Sequence, residues 1–121
     1  MFLPQSTPER RRQLYVEAVA AIAEDCGPWV TVDAVARRIG TSRRQLQRCF
    51  AEVGRTTFRA HLTAARMERA AALLAADAFA VGTVARYVGF ADPSQFSKAF
   101  RRHHGVTPSA FRRRPRSRAA T

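Results

Sequence analysis

Apolar residues recur along this chain at helical spacing, in short blocks broken by glycine or proline. Val81, Val84, Ala85 and Val88 fall at i, i+3, i+4 and i+7, one face of a helix, and Gly89 follows where a helix commonly ends in a left-handed residue. Asp92 and Pro93 then predict a second helix: Asp92 can accept from a free first-turn N–H, and Pro93 has no N–H to leave unpaired. Gln95, three residues after Asp92, gives a possible capping box. Phe96, Ala99 and Phe100 form the apolar side of this helix, with Ser94, Ser97, Lys98 and Arg101 opposite. The same pattern occurs earlier. Thr31 caps a block with Val32, Val35, Ala36 and Ile39, closed by Gly40. Ser42 and Gln45 open a further helix with Leu46, Cys49, Phe50 and Val53 on one side. The first helices of the two pairs match at an offset of 49, the second helices at 50, and the closing Gly54 and Gly105 at 51. Either pair alone reads as any two amphipathic helices. Agreement in caps, turn glycine and core spacing makes it an internal repeat of a helix-turn-helix.

The remaining pattern is also helical. Thr7-Pro8-Glu9 is a helix start, and Leu14, Ala18, Val19 and Ile22 give an apolar stripe running to about Asp25. Gly27-Pro28 ends it, and Trp29 and Val30 are expected to fold back on the core. From Thr57 to about Ala75 there is no Gly or Pro; Phe58, Leu62, Ala65, Ala70, Leu73 and Leu74 offer apolar contacts toward both ends. At ~1.5 Å per residue this is a rod of roughly 28 Å, close to the ~34 Å of one duplex turn. Asp77 to Ala80 make a short connection, and Gly82 weakens the helix that follows. Thr107-Pro108-Ser109 caps a last helical turn, with Phe111 packed inward. The expected division is a first subdomain over 7–56, a linker helix over 57–76, a second subdomain over 77–113 and a disordered basic tail over 114–121.

Charge narrows the partner. The 121 residues carry a net charge of +12, and Lys98 is the only lysine. Residues 1–40 hold five Arg against five acids, whereas residues 41–121 hold sixteen basic residues against four acids. A polyanionic partner follows, with nucleic acid ahead of membrane. The last ten residues, RRRPRSRAAT, add Arg112, Arg113, Arg114, Arg116 and Arg118 without an acid. Cys26 and Cys49 are far apart, with no Cys/His spacing for zinc, which fits a reduced, intracellular compartment. Cys49 falls on an apolar helix face, and the role of Cys26 is open. No apolar run reaches the ~18 residues of a membrane span. His61, His103 and His104 have no acid or Cys at ligand spacing, so they read as surface or packing residues. No nucleophile elbow, phosphate loop or carboxylate pair appears; no metal, cofactor or enzymatic activity is expected.

The stretches VTVDAVARRIGTSRRQLQRCF, RMERAAALL and VARYVGFADPSQFSKAFRRHHGVTPSAFR resemble the AraC/XylS family of bacterial transcription regulators over roughly residues 10–113. The resemblance implies an all-α, homeodomain-like fold of seven helices, with two helix-turn-helix subdomains joined by the long linker helix. It also implies a monomer on an asymmetric site of about two turns of double-stranded DNA, with recognition helices in adjacent major grooves. RNA polymerase is the expected protein partner and the bacterial cytoplasm, at the nucleoid, the expected location. Many members carry a separate sensor domain. This chain reads as a stand-alone short regulator or the DNA-binding end of a longer one, with Met1 leaning toward the former.

In the first recognition helix Arg43, Arg44, Gln47 and Arg48 lie off the Leu46/Phe50 face. Arginine forks suit guanine and glutamine suits adenine. The resemblance places Arg44, Gln47 and Arg48 at base-contacting positions, two of which are expected to reach bases. In the second, Ser94, Gln95 and Lys98 are the matching candidates, with Gln95 either a cap or a base reader. The family pattern usually has an aromatic or aliphatic residue at Gln95, so base preference there is expected to differ. The first helix is expected to discriminate more. Thr41, Ser42, Arg101 and Arg102 are phosphate candidates. The competing class is a basic helical RNA-binding or interaction module. RNA readers stack exposed aromatics on bases, and here the phenylalanines fall at core spacing.

Overall fold

The computed structural model describes residues 7–113, which form seven helices and no strand. These are α1 (Pro8–Glu24), α2 (Val32–Ile39), α3 (Arg43–Glu52), α4 (Phe58–Ala75), α5 (Val81–Tyr87), α6 (Pro93–His104) and α7 (Pro108–Arg113). The expected frayed start and the tail over 114–121 lie outside the described residues.

Most helix starts are set by a local hydrogen bond. The hydroxyls of Thr7, Thr31, Ser42, Thr57 and Thr107 accept from the N–H three residues on. Asp92 does otherwise: its carboxylate takes the N–H of Ser94 at 2.9 Å, so the capping box with Gln95 does not form. The nearer N–H satisfies the carboxylate and leaves Gln95 exposed. Helix α5 has no side-chain cap, because Ala80 stands where Thr31 stands in the earlier pair.

The chain divides into two compact units, Met1–Arg66 and Met67–Thr121, and the division falls inside α4. In the first unit Ala18, Ile22, Val35, Ala36, Leu46 and Phe50 are buried with Phe58 and Leu62 from the start of α4. Phe50 lies at the middle, edge-on to Tyr15, Phe58 and His61. In the second unit Met67, Ala70 and Leu74 bury against Val84, Ala85, Val88, Phe96 and Phe100. Phe111 packs on that cluster as expected, 5.5 Å from Phe100 between ring centroids. Each buried aromatic or aliphatic side chain contributes about 1.5–3 kcal/mol, so each unit rests on its own apolar centre.

One expectation changes. Val30 is buried but Trp29 is 43% exposed, and its indole N–H donates to Asp25; a surface carboxylate holds the ring where burial was expected. Arg112 lies in the last turn of α7, pairs with Asp77 and donates to the carbonyl of Phe79. Cys26, whose role was open, is buried in the first core, and burial pushes the Cys49 thiol upward. The backbone carbonyls of Cys26 and Gly27 accept from Arg66 on α4 at 2.8 Å each. Burial lowers the Arg66 pKa, and its fork ties α4 to the turn that follows α1, where the Gly27 carbonyl also accepts from Val30 N–H at 3.1 Å.

Candidate nucleic-acid interface

The first candidate surface is the outer side of α3. Ser42 fixes its start by accepting from Gln45 N–H at 3.1 Å, and Leu46, Cys49 and Phe50 fix its rotation by facing the core. Arg43, Arg44, Gln47 and Arg48 are therefore all brought to the outside. They are not equivalent there. Arg43 makes a two-pronged pair with Asp33 of α2, Nε to Oδ1 at 2.8 Å and Nη2 to Oδ2 at 2.6 Å. The hydrogen bond from Arg43 holds the Asp33 carboxyl below its usual range, and Asp33 raises Arg43 in return. Arg48 Nε lies 2.7 Å from Glu52, one turn along the helix. Arg11 of α1 reaches the same carboxylate at 2.9 Å. The Arg48 hydrogen bond, helped by the charge of Arg11, lowers the Glu52 pKa. Among the described residues Arg44 and Gln47 have no such partner. Their donors and acceptors are the ones facing solvent unsatisfied by protein.

The second surface is the outer side of α6. Phe96 and Phe100 are fully buried, which turns Ser94, Gln95, Lys98, Arg101 and Arg102 outward along one stripe. The side chains of Gln95, Lys98, Arg101 and Arg102 have no hydrogen bond or ion pair among the described residues. This stripe carries three cations and no acid, beside the polar side chains of Ser94 and Gln95.

The phosphate candidates of the first pair sit at the α2–α3 turn. Gly40 ends α2 with φ 80°, Thr41 N–H donates to Ala36 O at 2.9 Å, and Ser42 is exposed. The Ser42 oxygen is engaged as a cap, yet its O–H proton remains available to an acceptor. Periodicity alone does not reveal that Asp33 and Glu52 bear on this surface. The i,i+4 spacing of Arg48 and Glu52 signals one pair; the Asp33–Arg43 pair needs the turn between the helices. His61 lies half-buried against Phe50, and burial lowers its pKa, so it packs as expected. His103 is different: it meets Glu68, an acid 35 residues away that spacing could not supply.

Among the described residues the exposed large apolar side chains are Val16, Trp29, Phe79 and Tyr87; none lies on α3 or α6, so neither helix offers a base-stacking platform. No helix among the described residues is long and apolar enough to cross a membrane.

A helix-turn-helix domain family matches residues 35–114, from within α2 through the end of α7. An HTH-type transcriptional regulator of Mycobacterium tuberculosis is 38% identical over 106 residues, 88% of this chain and 30% of the relative. The chain spans about a fifth to a third of the length of the curated relatives that match at this level. Among solved structures, the C-terminal domain of the response regulator AraT from Geobacillus stearothermophilus superposes with TM-score 0.77 at 30% identity. It covers 95% of this chain and 93% of that one. The DNA-binding domain of the global transcriptional factor AdpA, solved in complex with a target DNA, gives TM-score 0.73 at 31% identity. It covers 81% of this chain and 88% of that one. Fold, repeat and outward cations agree with these matches, and the chain belongs to the AraC/XylS family of sequence-specific, DNA-binding transcription regulators.

Proposed function

We propose that the chain binds an asymmetric duplex site as a monomer, with α3 and α6 each entering a major-groove segment, and so positions or blocks RNA polymerase at bacterial promoters in the cytoplasm. The observation that carries this is the pair of outward polar faces on repeated helices, each rotated into place by buried phenylalanine. Arg44 and Gln47 are the principal base readers, because no acid competes for them. Arg43 serves mainly to fix α3 against α2 through Asp33, and Arg48 is released to DNA by exchanging Glu52 for a base or phosphate. Gln95 and Lys98 read bases, with Ser94, in the second segment. Thr41, Ser42, Arg101 and Arg102 contact phosphates. The unbroken run of α4 over 18 residues, about 27 Å at 1.5 Å per residue, supports the linker role.

The test is selection of bound duplexes from a random pool at near-physiological salt, since salt sets the nonspecific background. Two conserved half-motifs in one recovered site, occupied by one chain in sedimentation, are expected. Recovery of a single motif, of two chains per site, or equal competition by RNA overturns the reading.

A further inference from the structure

The end of α6 gathers three metal-ligating side chains that base reading does not use. His103 and His104 are the last residues of α6, and Glu68 belongs to the second half of α4, within the same compact unit. Each offers one ligand atom, and the three atoms lie within 4.8 Å of one another. His103 Nε2 is 2.8 Å from Glu68 Oε2, and His104 Nε2 is 2.9 Å from the backbone oxygen of Met67. A carbonyl only accepts, so His104 Nε2 carries the proton and a neutral ring keeps its lone pair on Nδ1. Metal-binding histidines are characteristically fixed in this way, one ring nitrogen on a carbonyl and the other toward the ion. The His104 ring also packs on Phe100 and Phe111, with centroids at 4.4 and 5.8 Å, so little of its freedom remains to be lost on binding.

We propose that Glu68, His103 and His104 bind one divalent first-row transition ion of the zinc, nickel or copper class, which takes the place of the proton between His103 Nε2 and Glu68 Oε2 and releases it to water. Two imidazoles and one carboxylate suit these ions, whereas magnesium and calcium take oxygen ligands. Arg101 and Arg102 lie on the same helix and oppose any cation held by charge alone. The last-turn carbonyls of α6 favour positive charge there through the helix dipole. Three protein ligands leave a fourth position for water. The ion ties α4 to the end of α6 and stabilises the second unit by mass action.

The test uses the full chain after removal of metal by a chelator. Titration with zinc by calorimetry is expected to give one ion per chain and a raised Tm. Cobalt is expected to give visible d–d bands without thiolate charge transfer, which excludes Cys26 and Cys49 as ligands. Glu68→Gln and His103→Gln alter exposed side chains and are expected to weaken zinc by more than about tenfold while circular dichroism stays unchanged. Zinc affinity untouched by both substitutions, a thiolate band with cobalt, or no uptake at millimolar zinc overturns the proposal. If either variant loses helicity, the cobalt spectrum and stoichiometry of the unsubstituted chain decide it.

Discussion

In the first helix pair Thr31 caps α2, Asp33 grips Arg43 and Glu52 holds Arg48. The positions that match these three in the second pair, at the repeat offsets of 49 and 50, are Ala80, Gly82 and Arg102. The cap is gone, and both acids are replaced, one by a residue without a side chain and one by a cation. The partner of the first acid has changed as well, since Pro93 stands where Arg43 stands. One scaffold has therefore been given two surface chemistries. In the first pair, acids hold two arginines in fixed places and leave Arg44 and Gln47 open, an arrangement that in the proposed complex restrains indiscriminate phosphate binding and favours directional contacts to bases. In the second, Lys98, Arg101 and Arg102 stand without acids on α6, which in the proposed complex leaves Arg101 and Arg102 to phosphate whatever the sequence and Lys98 to the bases.

The largest effects are expected where the pairs are alike, in their separate cores. Phe50→Ala and Phe96→Ala each remove a fully buried ring and are expected to cost about 3–5 kcal/mol. Trp29 is the single tryptophan and lies in the first unit, so its fluorescence distinguishes them. Denaturant should shift the Trp29 transition strongly in Phe50→Ala and much less in Phe96→Ala, while helical circular dichroism registers both. Identical shifts of the Trp29 signal in the two variants mean that the cores melt as one, and the comparison by units fails.

Next in size is the contrast in reading. Arg44→Ala is expected to lose about 1–3 kcal/mol on the preferred duplex and to relax preference at one or two base pairs. Arg101→Ala, at a proposed phosphate position of the second helix, is expected to weaken preferred and random duplexes more evenly and to reduce the salt slope by roughly one phosphate. Binding isotherms on both duplexes at several salt concentrations measure the difference. Retained base preference in Arg44→Ala with abolished preference in Lys98→Ala reverses the assignment of the two helices.

These contrasts show what a linear reading can and cannot see. Caps and cores are local, so Ser42 at α3, Asp92–Pro93 at α6 and the spacing of Phe96 and Phe100 announce themselves in the sequence. Pairs that close only after folding carry no periodic signal: Arg66 with the Cys26 carbonyl spans 40 residues, and His103 with Glu68 spans 35. Trp29 shows that hydrophobicity and a preceding turn do not guarantee burial when a carboxylate stands beside the indole. Matching letters also conceal different causes. Gly105 is needed for its backbone, at φ +83°, whereas a Cβ on Gly54 would lie 2.6 Å from the Tyr15 ring and 3.0 Å from the Phe50 carbonyl oxygen. Sequence aligns the two glycines, but only the fold separates conformation from space.

Smaller effects follow from the missing cap. Thr31→Ala is expected to cost about 1 kcal/mol, and Ala80→Ser to gain a comparable amount or somewhat less by supplying α5 with the acceptor it lacks. Gly82→Ala is expected to add about 0.5–1 kcal/mol, because a Cβ there meets only the Arg86 guanidinium at 3.9 Å. Urea denaturation of the three variants ranks them. A loss of stability in both Ala80→Ser and Gly82→Ala removes the view that α5 is the less well-anchored partner of α2.

The smallest expected effect is the pH dependence of the Asp33–Arg43 grip, which has no counterpart in the second pair. The hydrogen bond from Arg43 lowers the folded pKa of Asp33 below its ordinary value. Below that ordinary value the unfolded chain takes up a proton that the folded chain still refuses, so acid favours unfolding. The contribution is complete above the usual carboxylate range, declines as pH falls through it, and vanishes once pH drops past the folded value. Both side chains are solvent-exposed, which keeps the effect small and sensitive to salt. Asp33→Asn should flatten this part of the acid limb of the stability curve, with most of the change gone in high salt. The same substitution frees Arg43, so random-duplex affinity should rise and the salt slope steepen by about one phosphate. An unchanged acid limb together with unchanged random-duplex affinity means that Arg43 is not restrained in solution, and the proposed division of labour within α3 falls with it.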